Sequence, residues 1–264
     1  MKSGNLLKMR VENSDPVNYF LTLGDKEIHL NQYLGKKVSL AFNGQINCIA
    51  CGRLTSKSFA QGFCYPCMVN SPINAECIIR PELCKAHLGK GRDVEWERKN
   101  HLVDHTVYLA LSSALKVGVT RNSQIPTRWI DQGASGAIRL AEVPNRYLAG
   151  KIEVFLKDHL SDKTHWQKML KNEVDHETDL SDSKSRIAKL LPDDLKEFLT
   201  SNDEIVTFNY PVLTYPHKVK SLTFDKKSII EGSLQGIKGQ YLILSEGRVL
   251  NIRKHSGYYV IFRD

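Results

Sequence analysis

CIACGRLTSKSFAQGFCYPC, residues 48–67, sets two C-x2-C pairs twelve residues apart, Cys48 and Cys51 against Cys64 and Cys67. Each C-x2-C turn presents two sulfurs, and a polar twelve-residue spacer lets the two turns face one another. Gly52 directly after the first pair and Pro66 inside the second both suit tight turns. Zinc asks for this pattern: four thiolates in a tetrahedron, with no position left open for catalysis. The four cysteines therefore predict a zinc ribbon whose metal is structural. Disulfides are the competing use of cysteine. The paired spacing, and a start (Met1-Lys2-Ser3-Gly4-Asn5) with no apolar run behind it, point instead to reduced thiols in the cytoplasm.

Downstream, Cys77-x6-Cys84-x2-His87 offers three more ligands of the right types. It predicts a second zinc site, with His101 or His105 in the fourth position. Two buried core cysteines and a surface histidine are the alternative reading. Residues 48–100 hold all six cysteines and little regular periodicity, as expected where metal replaces an apolar core.

On the N-terminal side, residues 1–47 read as strands. Val17–Leu23 and Lys36–Phe42 alternate or run apolar between turn signals at Gly24, Gly35 and Asn43-Gly44. Asn43-Gly44 is expected to form a two-residue hairpin turn leading into Cys48. At the other end, residues 205–264 return to short strands punctuated by Gly232, Gly236, Gly239, Gly247 and Gly257, the spacing of a small barrel. The first 47 residues make a thin core alone and are expected to pair with it. Residues 248–259 interleave bases with aromatics. Arg253, Lys254 and Tyr258 are candidates for phosphate contact and base stacking, although a basic edge strand that blocks aggregation has the same composition.

Hydrophobic residues make up 41 % of the chain, enough for packed cores, and no run approaches the roughly 20 apolar residues of a membrane span. Net charge is +8, unevenly spread. Asn172–Glu204 carries ten acids against four bases, a net of −6, so the remainder carries +14. Such a body suits a polyanionic partner, DNA or RNA, and no membrane partner is implied. The acidic segment 172–204 reads as a linker with short helices, one opened by Pro192-Asp193-Asp194.

Between the two lies a mixed module, residues 101–171. Thr106–Leu111 and Ala114–Thr120 are strands, Pro126 opens a helix that Gly133 closes, and Ala137–Val143 is a third strand. Pro144-Asn145 begins a helix with an apolar stripe at Ile152, Phe155, Leu156 and Leu160, and Ser161 can cap another containing Trp166, Met169 and Leu170.

This order resembles the GIY-YIG nuclease domain over about a quarter of the chain. Thr106-Val107-Tyr108 stands where that family's first strand ends in tyrosine, with Thr for Gly. Lys116-Val117-Gly118 stands for its Y-I/V-G, with Lys for the second Tyr. Arg128 falls where the family has a helix arginine, and Glu153, within Lys151–Lys157, where it has a metal-binding glutamate. The resemblance implies a three-stranded sheet with helices and a site of Tyr108, Lys116, Arg128 and Glu153. It also implies Mg2+ or Mn2+ on Glu153 and an endonuclease acting on structured DNA or RNA. Arg121 would add a phosphate contact. The whole chain is also similar to a bacterial family of unknown function that joins a zinc ribbon to such a module.

The chemistry agrees in kind. Phosphodiester hydrolysis needs an oriented water, cations on the phosphate oxygens and a metal that keeps its own waters. Taken singly, the residues are ordinary: Tyr108 as a sheet residue, Glu153 and Lys157 as an i,i+4 pair. The expected architecture is α+β: a β domain from the chain ends (1–47 and 205–264), a zinc-binding region (48–100), the GIY-YIG-like module (101–171) and the acidic segment (172–204). Three functions stay open: a nucleic-acid-binding protein with metal-dependent endonuclease activity, an inactive binding or assembly factor at the ribosome or tRNA, and a protein–protein adaptor.

Overall fold

A period of two organises the N-terminal strands β1 (Lys2–Asn5), β2 (Arg10–Glu12), β3 (Asn18–Leu23) and β4 (Lys26–His29). In β3, Tyr19, Leu21 and Leu23 are buried while the residues between them are half-buried. The computed structural model describes residues 2–160, 165–175 and 177–264. Strands β2, β3 and β4 form a small antiparallel sheet. The chain continues through β5 (Lys37–Asn47), β6 (Leu54–Thr55) and α1 (Tyr65–Asn70).

Ser71 to Leu88 then runs as a series of single 3-10 turns. After it come α2 (Val94–His101), β7 (His105–Leu111), β8 (Leu115–Arg121), α3 (Thr127–Asp131), β9 (Gly136–Val143), α4 (Arg146–Lys157), α5 (Trp166–Leu170), α6 (Leu180–Leu190), α7 (Asp193–Lys196) and β10 (Ile205–Thr207). The expected three-stranded sheet is present and carries a fourth strand, in the antiparallel order β10-β9-β7-β8. Asp93, Asn145 and Asp179 cap α2, α4 and α6, each accepting a backbone N–H three residues on. Ser161, expected to cap the helix at Trp166, lies outside the described residues.

Val107, Leu109 and Leu111 of β7 pack, with Val117 and Ile138, against Ala149, Ile152 and Leu156 of α4 and Leu180 and Ile187 of α6. Leu191 and Leu195 complete this core. The acidic segment 172–204 is therefore no linker. Its acids face solvent, but each buried leucine contributes about 1.5–3 kcal/mol, which ties the segment down. Tyr108 and Ala110, alternate residues of β7, point to the other face.

The last strands are β11 (Lys220–Leu222), β12 (Ile229–Lys238), β13 (Tyr241–Leu244), β14 (Arg248–Asn251) and β15 (Tyr258–Arg263). They join an eight-stranded sheet in the order β1-β15-β5-β12-β13-β14-β11, with β6 also on β5. The two chain ends thus share one sheet. The chain divides into two units: Met1–Val69, Leu170–Asn172 and Phe208–Asp264 form one, Asn70–Met169 and Glu173–Thr207 the other. The boundary at 69/70 splits the cysteines, four in the first unit and two in the second.

Asn43-Gly44 does not reverse the chain. Phe42 pairs with Val260 and Ile46 with Tyr258, so β5 spends four residues where β15 spends two. Gly44, at φ +93°, absorbs the excess as a bulge. Among the described residues no helix is long and apolar enough to cross a membrane.

Candidate metal centres and the Tyr108 site

Strand β5 delivers Cys48 at its end, and the chain turns at once. The Gly52 N–H donates to the Cys48 carbonyl at 2.8 Å, with Gly52 in the left-handed region at φ +71°. The second pair sits at the start of α1, where Met68 N–H donates to the Cys64 carbonyl at 2.9 Å. Phe59 and Phe63 exchange two backbone hydrogen bonds of 2.8 Å, and Ile49 N–H donates to Gly62 O, which folds the spacer back. All four sulfurs lie within 4.8 Å of one another, and those of Cys51 and Cys64 are 3.8 Å apart. A tetrahedron with ~2.3 Å zinc–sulfur bonds has edges of about 3.8 Å, so the cluster is compatible with a zinc ribbon.

The thiols are electrostatically coupled. Burial opposes ionisation of Cys48, but the backbone N–H groups of Cys64, Cys51 and Ala50 bring it down to about 6. Cys67 is pushed up to about 12, first by its hydrogen bond with Cys51 and then by Cys64. Four sulfurs this close do not all ionise without a cation among them.

A second cluster forms in the other unit, with His101, one of the two candidates for the fourth position, in place of His87. Cys77, Cys84 and His101 are all buried with ligand atoms within 4.8 Å. His101 Nδ1 stands 3.6 Å from Cys84 Sγ and 4.0 Å from Cys77 Sγ. Cys84 is brought down to about 4 by the hydrogen bond from Cys77, against burial and with help from His101, while Cys77 is pushed up. His87 is excluded: it is exposed and stacks on Tyr147 at 4.4 Å, after which Gly89 at φ +67° turns the chain away. His105, whose Nδ1 donates to the Val103 carbonyl at 2.6 Å, does not join the cluster. Sequence reasoning missed Glu97, whose signal was its spacing of four from His101 on a single helix, which places both on one face. Arg146 ties this hook to α4, donating to the Cys77 and Ile78 carbonyls at 2.8 and 2.9 Å.

The β7–β8 register sets Tyr108 opposite Gly118 and Ala110 opposite Lys116. A Cβ at Gly118 would lie 2.6 Å from the Tyr108 hydroxyl, so the glycine makes room for that ring. The ring is buried, edge-on to Trp129 at 5.8 Å. Gln132, one helical turn beyond Arg128, links the candidates. Its Nε2 donates to the Tyr108 hydroxyl, and its Oε1 accepts from Lys116 Nζ. Sequence reasoning missed Gln132, whose only signal was that i+4 spacing.

Burial raises the Tyr108 phenol above its usual range; Arg128 and Gln132 counter this, and the charge of Glu153 adds to it. Glu153 comes from α4, whose apolar stripe packs on the Val107–Leu109 face, opposite the face that carries Tyr108. The Tyr108 hydroxyl reaches across Gly118 on the edge strand, where the fields of Arg128 and Glu153 both act on it. Lys157 Nζ lies 3.5 Å from Glu153 Oε2. Arg121 donates to Asn100 Oδ1.

In the first unit the expected stacking residue is internal. Tyr258 is buried, packs on Phe42 at 4.9 Å and donates its hydroxyl to Asp225 Oδ1 at 2.6 Å. Its place on the inward face of β15 removes it from any base-stacking surface. Arg253 and Lys254 sit in the 3-10 turn before β15, the first half-buried and the second exposed.

These features define a mixed α+β protein with a four-cysteine cluster of zinc-ribbon geometry. Residues 35–260 match the family model described as "Protein of unknown function (DUF2797)", and the chain belongs to that family. No curated protein and no solved structure matches it.

Proposed function

We propose that this protein binds structured DNA or RNA and hydrolyses a phosphodiester bond in it with Mg2+ or Mn2+. The observation that carries the reading is the contact of Gln132 with the Tyr108 hydroxyl and with Lys116, one helical turn from Arg128; Glu153 acts on the same phenol through its charge, from the helix on the other face of the sheet. Burial keeps that phenol protonated, so Tyr108 serves as a positioned hydroxyl rather than as a base. Arg128 binds a phosphate through its planar fork, and Arg121 adds a second cation. Glu153, a largely shielded carboxylate, is the residue that would hold the divalent cation, which neutralises charge on the phosphoryl oxygens.

The test is cleavage of a panel of branched and looped DNA and RNA with each metal. Glu153→Gln should abolish cutting and leave binding in place, because the metal acts in the transition state; Arg128→Ala should weaken both. A panel left uncut by the wild type refutes hydrolysis.

A second reading, binding without cleavage, is favoured by the burial of Tyr108 and by Lys116 in place of the family's second tyrosine. It leaves salt-sensitive binding intact on the uncut panel. An adaptor for other proteins would lack even that.

A further inference from the structure

We infer that Cys77, Cys84, His101 and Glu97 form a second zinc centre, held wholly within the second unit and independent of any nuclease activity. Three separations radiate from one atom. His101 Nδ1 stands 3.6 Å from Cys84 Sγ, 4.0 Å from Cys77 Sγ and 3.8 Å from Glu97 Oε2. Zinc bonds of ~2.3 Å to sulfur and ~2.0–2.1 Å to nitrogen or oxygen give tetrahedral edges of about 3.3–3.8 Å. The two sulfurs and Nδ1 already lie within 4.8 Å of one another; Glu97 stands outside that mutual distance and closes on the ion by side-chain rotation.

Glu97 needs a cation for its own reasons. It is 2 % exposed, and a buried carboxylate costs several kcal/mol unless it is paired. Its Oε1 accepts the Arg92 backbone N–H at 2.8 Å, and Oε2 is the oxygen nearer His101. Helix α2 presents Glu97 and His101 one turn apart, while two 3-10 turns present the cysteines. An ion between them staples helix to hook. Apart from the tie to α4 through Arg146, the segment has only a small core of its own: Ala75, Cys77, Cys84 and Ala86, edged by Ile78, Leu102 and Tyr147. There the metal's binding energy is folding energy. A cleft of about 380 Å3, lined by Cys77 and Glu97 among others, gives the ion a way in.

The experiment is metal analysis of the full-length protein purified reduced from zinc-containing medium. The wild type should hold two zinc ions per chain, and His87→Ala should still hold two. Cys84→Ser should hold one. His101→Cys should keep both and, in the cobalt-substituted protein, add thiolate-to-metal charge-transfer absorption. In a chelator competition Glu97→Gln should weaken one zinc by at least about tenfold, the lower bound for disturbing even an outer-shell partner, and leave the other unchanged. One zinc in the wild type, or loss of one from His87→Ala, overturns the centre. Unchanged affinity in Glu97→Gln overturns the fourth ligand. Should Cys84→Ser fail to fold, the His101→Cys and Glu97→Gln variants still decide.

Discussion

Gly118→Ala should destabilise the second unit by about 2–4 kcal/mol. The new Cβ would lie 2.6 Å from the Tyr108 hydroxyl and 2.7 Å from Cζ, so the ring must move. Overpacking a tight core costs about 1–3 kcal/mol. Displacing the hydroxyl from Gln132 strands buried polar groups, at about 1–3 kcal/mol more. Stiffening the unfolded chain returns about 0.4–1 kcal/mol. Urea unfolding followed by tryptophan fluorescence measures the net effect, and Trp129, edge-on to Tyr108, reports the ring's displacement directly. The decisive arm is the double mutant. With Tyr108→Ala already in place the Cβ meets no ring, and Gly118→Ala should cost less than about 0.5 kcal/mol. The coupling energy should then be about 2 kcal/mol or more. An equal cost in both backgrounds would refute the claim that Gly118 exists to seat Tyr108.

Gly150→Ala should cost more than about 2 kcal/mol in a thermal or urea melt, despite a gain of about 1 kcal/mol in helix propensity, because its Cβ would lie 2.1 Å from the Glu82 backbone nitrogen. His255 is held neutral: burial lowers its pKa, Nδ1 donates to Asn251 O at 2.8 Å, and Nε2 accepts from Phe224 N–H at 3.3 Å. The unfolded histidine binds its proton near ~6.5 and the folded one only below that. Stability should therefore fall as pH drops below about 6.5, by up to about 1.4 kcal/mol per pH unit, and His255→Gln should flatten that part of the curve; identical slopes count against it. Tyr258→Phe should cost about 1.5–3 kcal/mol for the lost bond to Asp225 and leave nucleic-acid affinity as it was, checked by filter binding; a matching loss of affinity would return Tyr258 to the binding surface.

Features readable in the sequence were those set by local pattern. Thr106–Leu111, Ala114–Thr120 and Ala137–Val143 lie within a residue of β7, β8 and β9, because apolar runs between Gly, Pro and Ser signals leave few alternatives. The four-cysteine cluster was readable because C-x2-C carries its own geometry. What failed depended on partners distant in sequence. Asn43-Gly44 suits a hairpin as well as a bulge, and only the position of β15 decides. His87 followed Cys84 closely enough to pass for its co-ligand, yet the chain must travel to the end of α2 before His101 comes back to the sulfurs. Leu180, Ile187, Leu191 and Leu195 were spread thinly through an acidic stretch, so charge hid an apolar face. Tyr258 read as exposed because a basic neighbourhood says nothing about which way one residue of a strand points.

The pairing of both chain ends in one sheet fixes an order of events during synthesis. Strand β5, among the earlier strands to leave the ribosome, lies between β12 and β15, and β1 pairs with β15 at the edge of the sheet. Until the last residues emerge, these strands expose unpaired edges. The second unit draws on residues 70–169 and 173–207 alone, so all of its chain is available while the sheet of the first still waits for its centre. A nascent chain whose residues up to 207 have left the exit tunnel would carry a complete second unit and a still unfinished first one. During that interval the four cysteines follow a strand that lacks its central partners, and zinc bound early by Cys48, Cys51, Cys64 and Cys67 would shelter the thiols from oxidation.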